Sequence, residues 1–226
     1  MNGLFAPEHV GALVGIALSI TALVVAARRR PGPWLKLFAA ALVVDEVSWW
    51  VFIAAGGSPA QAAQPLPLQV CDVAIFLAAA ALWTRHPLLV ELTYFWGLAG
   101  TLQALLSPDL PQHFPTYPYF QYYIAHGGVV AAALVVVVGL RIRPRRGAVA
   151  WTLGIAVAYA AFVGAVDAVT GVDYMYLRAK PVTPTALDLM GPWPWYILEA
   201  AGLAVVLFAI LDLPFRLRQR RSESLS

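Results

Sequence analysis

The stretch Pro67-Leu-Gln-Val-Cys-Asp-Val-Ala-Ile-Phe-Leu-Ala-Ala-Ala-Ala-Leu-Trp83 leads through Arg85, His86 and Pro87 directly into a second apolar run. A hydrocarbon core of about 30 Å takes about 20 apolar residues to cross as a helix. Two such runs around a single basic turn therefore read as consecutive membrane crossings. The same test applied outward along the chain gives seven segments, at 7–27, 34–56, 66–84, 87–107, 119–140, 148–170 and 193–214.

Composition agrees with that reading. Of 226 residues, 61% are hydrophobic and 12% charged, and the mean hydropathy is +0.72. A soluble domain of ordinary make-up is excluded. Backbone groups inside a bilayer must be satisfied without water, which leaves helices or a closed barrel. The ten-residue alternating strands of a barrel are absent. The expected fold is all-α, a polytopic membrane protein with seven transmembrane helices over 1–215 and a basic, disordered cytoplasmic tail over 216–226.

Basic residues orient the chain. In a seven-span arrangement Arg28, Arg29, Arg30, Lys36, Arg85, Arg141, Arg143, Arg145, Arg146, Arg216, Arg218, Arg220 and Arg221 share one side, and only Arg178 and Lys180 fall on the other. The positive-inside rule then puts the N-terminus outside and the C-terminus in the cytoplasm. Positive charge follows the first apolar run instead of preceding it, so that run reads as a helix and not as a cleaved signal. The excess of Arg over Lys, with abundant Ala and Val, points to a bacterial plasma membrane. The net charge of +3 belongs to short basic loops suited to anionic head groups, so membrane phospholipids are the expected partners and nucleic acid is not. No motif sets an oligomeric state.

One cysteine is present, which excludes an internal disulfide and a Cys-rich metal site. His9, His86 and His113 fall at ends or loops on different sides of the membrane, so no three-ligand metal set converges. Neither a metal nor a cofactor is expected. The polar residues within the helices are more informative. At about 1.5 Å of rise per residue, Cys71 lies about 6–8 Å from the outer end of its helix, His126 about 10–12 Å, Glu199 about 8 Å, Gln103 about 7 Å and Asp167 about 5 Å. Glu46 lies deeper, at about 16 Å, with Asp45 beside it. Glu91 and Asp212 fall at cytoplasmic ends near basic residues and read as structural ion pairs.

Taken singly, each polar residue of this layer has an ordinary explanation. Asp45, Glu46, Gln103 and Asp167 can tie helices together by hydrogen bonds, Cys71 can be a small buried hydrophobe, and His126 a hydrogen-bonded core histidine. Their shared depth suggests more, because a thiol within reach of an imidazole is a nucleophile with its base. Helical spacing puts Tyr119 and Tyr122 on the face of His126, a vestibule or an interfacial aromatic belt, while Gly127 and Gly128 allow a neighbouring helix or an acyl chain to approach.

Five blocks carry a resemblance: Pro-Leu-Gln-Val-Cys-Asp (67–72), Tyr-Phe-Trp-Gly-Leu-Ala-Gly-Thr-Leu-Gln-Ala-Leu (94–105), Phe-Gln-Tyr-Tyr-Ile-Ala-His-Gly-Gly (120–128), Tyr-Met-Tyr-Leu-Arg-Ala-Lys-Pro (174–181) and Gly-Pro-Trp-Pro-Trp-Tyr (191–196). In this order they resemble the bacterial YwaF-type integral membrane proteins, related to eukaryotic transmembrane protein 164. The resemblance implies a seven-helix bundle akin to the androgen-induced-gene-type membrane lipid hydrolases. It also implies cysteine-dependent acyl transfer on phospholipids, with the family cysteine at Cys71 and the family histidine at His126.

The expected chemistry is acyl transfer or lipid hydrolysis through a Cys71 thioester in the outer leaflet, with His126 as base and a sulfur-to-nitrogen distance of about 3–5 Å. The site is expected at the polar end of an aliphatic slot. Asp72 points about 100° around the helix from Cys71, so Glu199 or Asp167 are the expected third members. Gln103, Tyr122 or backbone N–H groups are the candidates for stabilising the oxyanion. Two other classes remain open: a small-solute or proton-coupled transporter using Glu46, Asp72, Asp167 and Glu199, and a non-catalytic lipid-binding or sensory protein. Orientation is directly testable. A periplasm-dependent phosphatase fused after Ser226 is expected to be inactive and a fluorescent protein there bright; the opposite pair would invert the topology.

Overall fold

The structure, a computed structural model, describes residues 6–57, 64, 66–110, 112–182 and 185–223, with 218–223 described by backbone alone. Most of the expected 57–65 outer loop, and residues 224–226 of the expected tail, lie outside the described residues. Among the described residues seven principal helices follow in chain order: α1 Pro7–Arg29, α2 Trp34–Ala54, α3 Val70–Thr84, α4 Pro87–Leu106, α5 Tyr117–Gly139, α6 Ala148–Thr170 and α7 Trp195–Glu223. A 3₁₀ turn, Ala186–Leu189, precedes α7. No strand is formed among the described residues.

Six of these helices are long and apolar enough to cross a membrane. The exception is α3, apolar but 15 residues long, or about 22 Å. It starts at Val70 and not at the expected residue 66. Pro67 disfavours helix in the residue before it and supplies no N–H. The flanking backbone is also used elsewhere: Leu66 N donates to the Tyr174 hydroxyl, and the Tyr159 hydroxyl donates to Leu68 O. At the far end of the chain, α7 continues to Glu223 past Arg216, where a disordered tail was expected. Arg216 is held there by Asp212 at 2.7 Å and by the Arg145 carbonyl.

Packing sorts the helices into an inner and an outer set. α3 contacts α2, α4 and α5, while α4 also meets α6 and α7 and α5 meets α1 and α2. Ala74, Ala78 and Ala81 of α3 are fully buried. Side chains this small let helices approach closely where lipid supplies no hydrophobic drive between them. On α5, a Cβ at Gly128 would overlap the Leu42 side chain and one at Gly127 would meet Ile16 at 2.9 Å, so α1 and α2 are the neighbours these glycines admit. The outer faces of α1, α2, α6 and α7 expose Leu18, Val44, Phe162 and Ile210 among others, as a lipid-facing surface does.

The inner ends are tied by charge. Glu91, fully buried near the start of α4, accepts from the Arg145 backbone N–H, Nε and Nη2 at 2.7–2.8 Å. Arg216 in turn donates to the Arg145 carbonyl and pairs with Asp212. This linked set matches the structural ion pairs expected at Glu91 and Asp212. It pins the α5–α6 connection to α4 and α7, which holds the outer half of the bundle in register.

Candidate functional site

Two helices leave α-periodicity. Gly97–Thr101 of α4 and Val135–Gly139 of α5 are π turns, which often mark functional sites. The first carries Thr101 toward the start of α3, where its hydroxyl lies against Cys71. Glu46 from α2 and Asp72 stand within electrostatic range of the same thiol. Tyr122 of α5 and Tyr176 of the 171–182 loop do so as well. Cys71 and His126 are surrounded by protein yet each keeps part of its surface accessible.

His126 has a defined tautomer. Its Nδ1 lies 2.8 Å from the Tyr122 carbonyl oxygen, and a carbonyl only accepts, so Nδ1 carries the proton and Nε2 keeps its lone pair. The Tyr122 ring stacks on the imidazole with centroids 4.1 Å apart and planes 27° from parallel. The Tyr122 hydroxyl donates to Ala104 O of α4 at 2.8 Å. Tyr122 thus stacks on the imidazole and stands within electrostatic range of the thiol. Tyr119, expected beside it, turns away: it donates to Glu8 O of α1 and packs on Tyr123.

The carboxylates divide between the surroundings of Cys71 and the framework of the bundle. Glu46 is buried and accepts from Trp50 Nε1 at 2.7 Å, while Asp45 accepts from Gln121 Nε2 at 3.3 Å. Asp72 accepts from Gln69 N at 3.3 Å, as an acid in the first turn of a helix should, and is electrostatically coupled to Glu46. The two acids expected to orient His126 are committed elsewhere. Asp167, buried, accepts from Tyr174 N through both oxygens at 3.1 Å. Glu199 is exposed and accepts from Gly191 N at 2.9 Å. Gln103 is likewise exposed and does not suit an oxyanion site. Asp167 and Glu199 sit near helix ends, where loop N–H groups compete for them.

The 171–182 loop packs against the segment that leads into α3. Tyr174 is fully buried, and Met175 N donates to Gln69 Oε1 at 2.9 Å, one residue before α3 begins. Met175 and Tyr176 both adopt left-handed backbone, with φ of 57° and 55°, a costly conformation for side-chain-bearing residues that clusters at functional sites. Tyr176 donates to Asp109 Oδ2 at 2.7 Å, and its carbonyl accepts from the Tyr196 hydroxyl. Burial and the Asp109 carboxylate keep the Tyr176 hydroxyl protonated well above the usual phenol range. Thr101 and Tyr176 were not among the residues singled out from the sequence, although both lie inside blocks that carry the family resemblance.

A cavity of about 580 Å³ opens between α1, α2 and α5. It is lined by Ile16, Leu42, Phe120, Tyr123, Gly127 and Gly128 among others, and by neither Cys71 nor His126. The aliphatic slot expected to end at the thiol is therefore not this cavity, which occupies another face of α5.

A helical bundle with six spanning-length apolar helices and an enclosed polar layer is a multi-pass membrane protein. The TMEM164 family model matches residues 4–212; the chain belongs to the TMEM164 family. No significant match is found among curated proteins or solved structures. The loop clasp gives a prediction. Gln69→Ala removes the Met175 acceptor and the donor to Gln64 Oε1, so amide exchange at 174–179 is expected to rise about tenfold, for roughly 1–1.5 kcal/mol of lost hydrogen bonding. Unchanged exchange by mass spectrometry would mean that the loop is held by other contacts.

Proposed function

We propose that the chain is a membrane acyltransferase or lipid hydrolase acting on glycerophospholipid, with Cys71 as nucleophile and His126 as base. One observation carries the reading. Tyr122 stacks on an imidazole whose Nε2 keeps its lone pair and itself stands within electrostatic range of the lone thiol, and both Cys71 and His126 keep part of their surface accessible. The family resemblance implies the same pair, with its cysteine at Cys71 and its histidine at His126.

In the first step the Cys71 proton passes to His126 Nε2, and the sulfur attacks the ester carbonyl carbon of the lipid. A C–S bond forms, the ester C–O bond breaks, and the departing lysolipid oxygen takes the proton back from the imidazolium. In the second step the hydroxyl of an acceptor lipid or of water gives its proton to Nε2 and attacks the thioester. The C–S bond then breaks and the thiolate leaves, to be reprotonated by His126. The Nδ1–H bond to Tyr122 O keeps the basic nitrogen on the correct side of the ring, and the stacked phenol limits its rotation. The site faces the outer leaflet of a bacterial plasma membrane in the orientation set by the basic loops.

A second reading rests on a different observation. Buried Glu46 is coupled to Asp72, with Asp45 alongside it, and intramembrane carboxylates often mark proton or solute pathways. Variants separate the two. Cys71→Ala and His126→Ala are expected to abolish lipid acyl turnover by the purified protein while leaving the bundle folded, because the deleted thiol contributes little packing volume. Cys71→Ser should fall by at least about a hundredfold, since a hydroxyl is far less ionised than a thiol near neutral pH. Full lipid turnover by Cys71→Ala would contradict the acyl-transfer reading and leave Glu46→Gln, assayed for proton flux, as the informative variant.

A further inference from the structure

Most hydroxyls in this bundle's helices follow one rule that Thr101 breaks, as does Thr93 earlier in the same helix. Ser19, Thr21, Thr84, Thr152 and Thr170 each donate to the carbonyl four residues earlier at 2.7–2.8 Å, the usual way for a helical hydroxyl to be satisfied away from water. Thr101 is fully buried, and its Oγ1 has no hydrogen-bond partner. The π turn at Gly97–Thr101 explains the difference. It widens the helix at this residue and displaces the carbonyl that an α-turn would present. The unpartnered hydroxyl lies instead against the sulfur of Cys71, across the contact between α3 and α4. A buried hydroxyl left without a partner is costly, and the arrangement is accounted for if the acceptor is a sulfur that carries charge only during the reaction.

We propose that Thr101 is a positioning residue of the Cys71 site, its hydroxyl held in place by the π turn to donate to the sulfur when the thiolate forms. A neutral thiol or thioester is a weak acceptor, whereas a thiolate accepts a charge-assisted bond, so the contact strengthens as the nucleophile is generated and weakens once the thioester has formed. Thr101 keeps its own proton throughout, and the proton that leaves Cys71 goes to His126. This inference rests on the acyl-transfer reading for its purpose and on Thr101 and Cys71 alone for its geometry.

The chain has one cysteine, so alkylation of the full-length protein by N-ethylmaleimide reads Cys71 directly. Thr101→Val keeps the branched shape and removes the hydroxyl, while Thr101→Ser keeps the hydroxyl and removes the methyl group. At fixed pH, T101V is expected to slow alkylation about tenfold and T101S to stay within about threefold of the parent, in line with a hydrogen bond to a charged group. A purely structural role would give the reverse order, with Val tolerated and Ser impaired. Should T101V not fold, T101A supplies the hydroxyl-free comparison. Parent-like alkylation in a folded hydroxyl-free variant, or an equal loss in T101V and T101S, would overturn the proposal. Alkylation needs no acyl donor. Hydroxyl-dependent alkylation in a protein that forms no acyl-enzyme would thus support the Thr101 contact and contradict acyl transfer.

Discussion

Hydrocarbon offers no hydrogen bonds, and each polar group within this bundle must find its partner in the protein. Backbone groups are met by the helices themselves. Five helical hydroxyls close back on their own carbonyls, Glu91 is enclosed by Arg145 at the inner end, and Asp167 is taken up by Tyr174 at the outer end. Three of the groups left over lie on the mutually packed helices α3, α4 and α5: the thiol of Cys71, the Thr101 hydroxyl facing it, and the Nε2 of His126, whose other nitrogen is already committed. Thr93 and Gln112 also keep an unpartnered oxygen.

That concentration depends on close packing of the inner helices. The fully buried alanines of α3 let it sit among α2, α4 and α5, and the π turn in α4 faces it where α3 begins. α3 is only 15 residues long, and the loop of Tyr174, Met175 and Tyr176 is fastened to the residue before it, Gln69.

Helix existence was legible in the sequence because apolar length is a direct consequence of bilayer thickness. Predicted and observed limits agree within a few residues for α1, α2, α4, α5 and α6. The exceptions involve residues whose conformation depends on distant partners. Pro67 and Gln69 look helical in a hydropathy window, yet their segment is held extended by Tyr159 and Tyr174, about a hundred positions away. Depth counting placed Cys71, His126, Asp167, Glu199 and Gln103 in one layer but carried no information on azimuth. Asp167 and Glu199 were therefore read toward the site when they serve the loops. The π turn that brings Thr101 to the thiol shifts side chains out of helical register, so ideal spacing does not find it.

Formation of an acyl-thioester on Cys71 is the claim on which the account stands, and intact-protein mass spectrometry tests it most directly. The purified protein is incubated with a phospholipid of defined acyl chains and quenched in acid. The account predicts a mass increase of one acyl group less one hydrogen, reversed by neutral hydroxylamine and absent from Cys71→Ala. Turnover of the lipid with no such adduct, even in rapidly quenched samples, or an adduct that persists in Cys71→Ala, would contradict it.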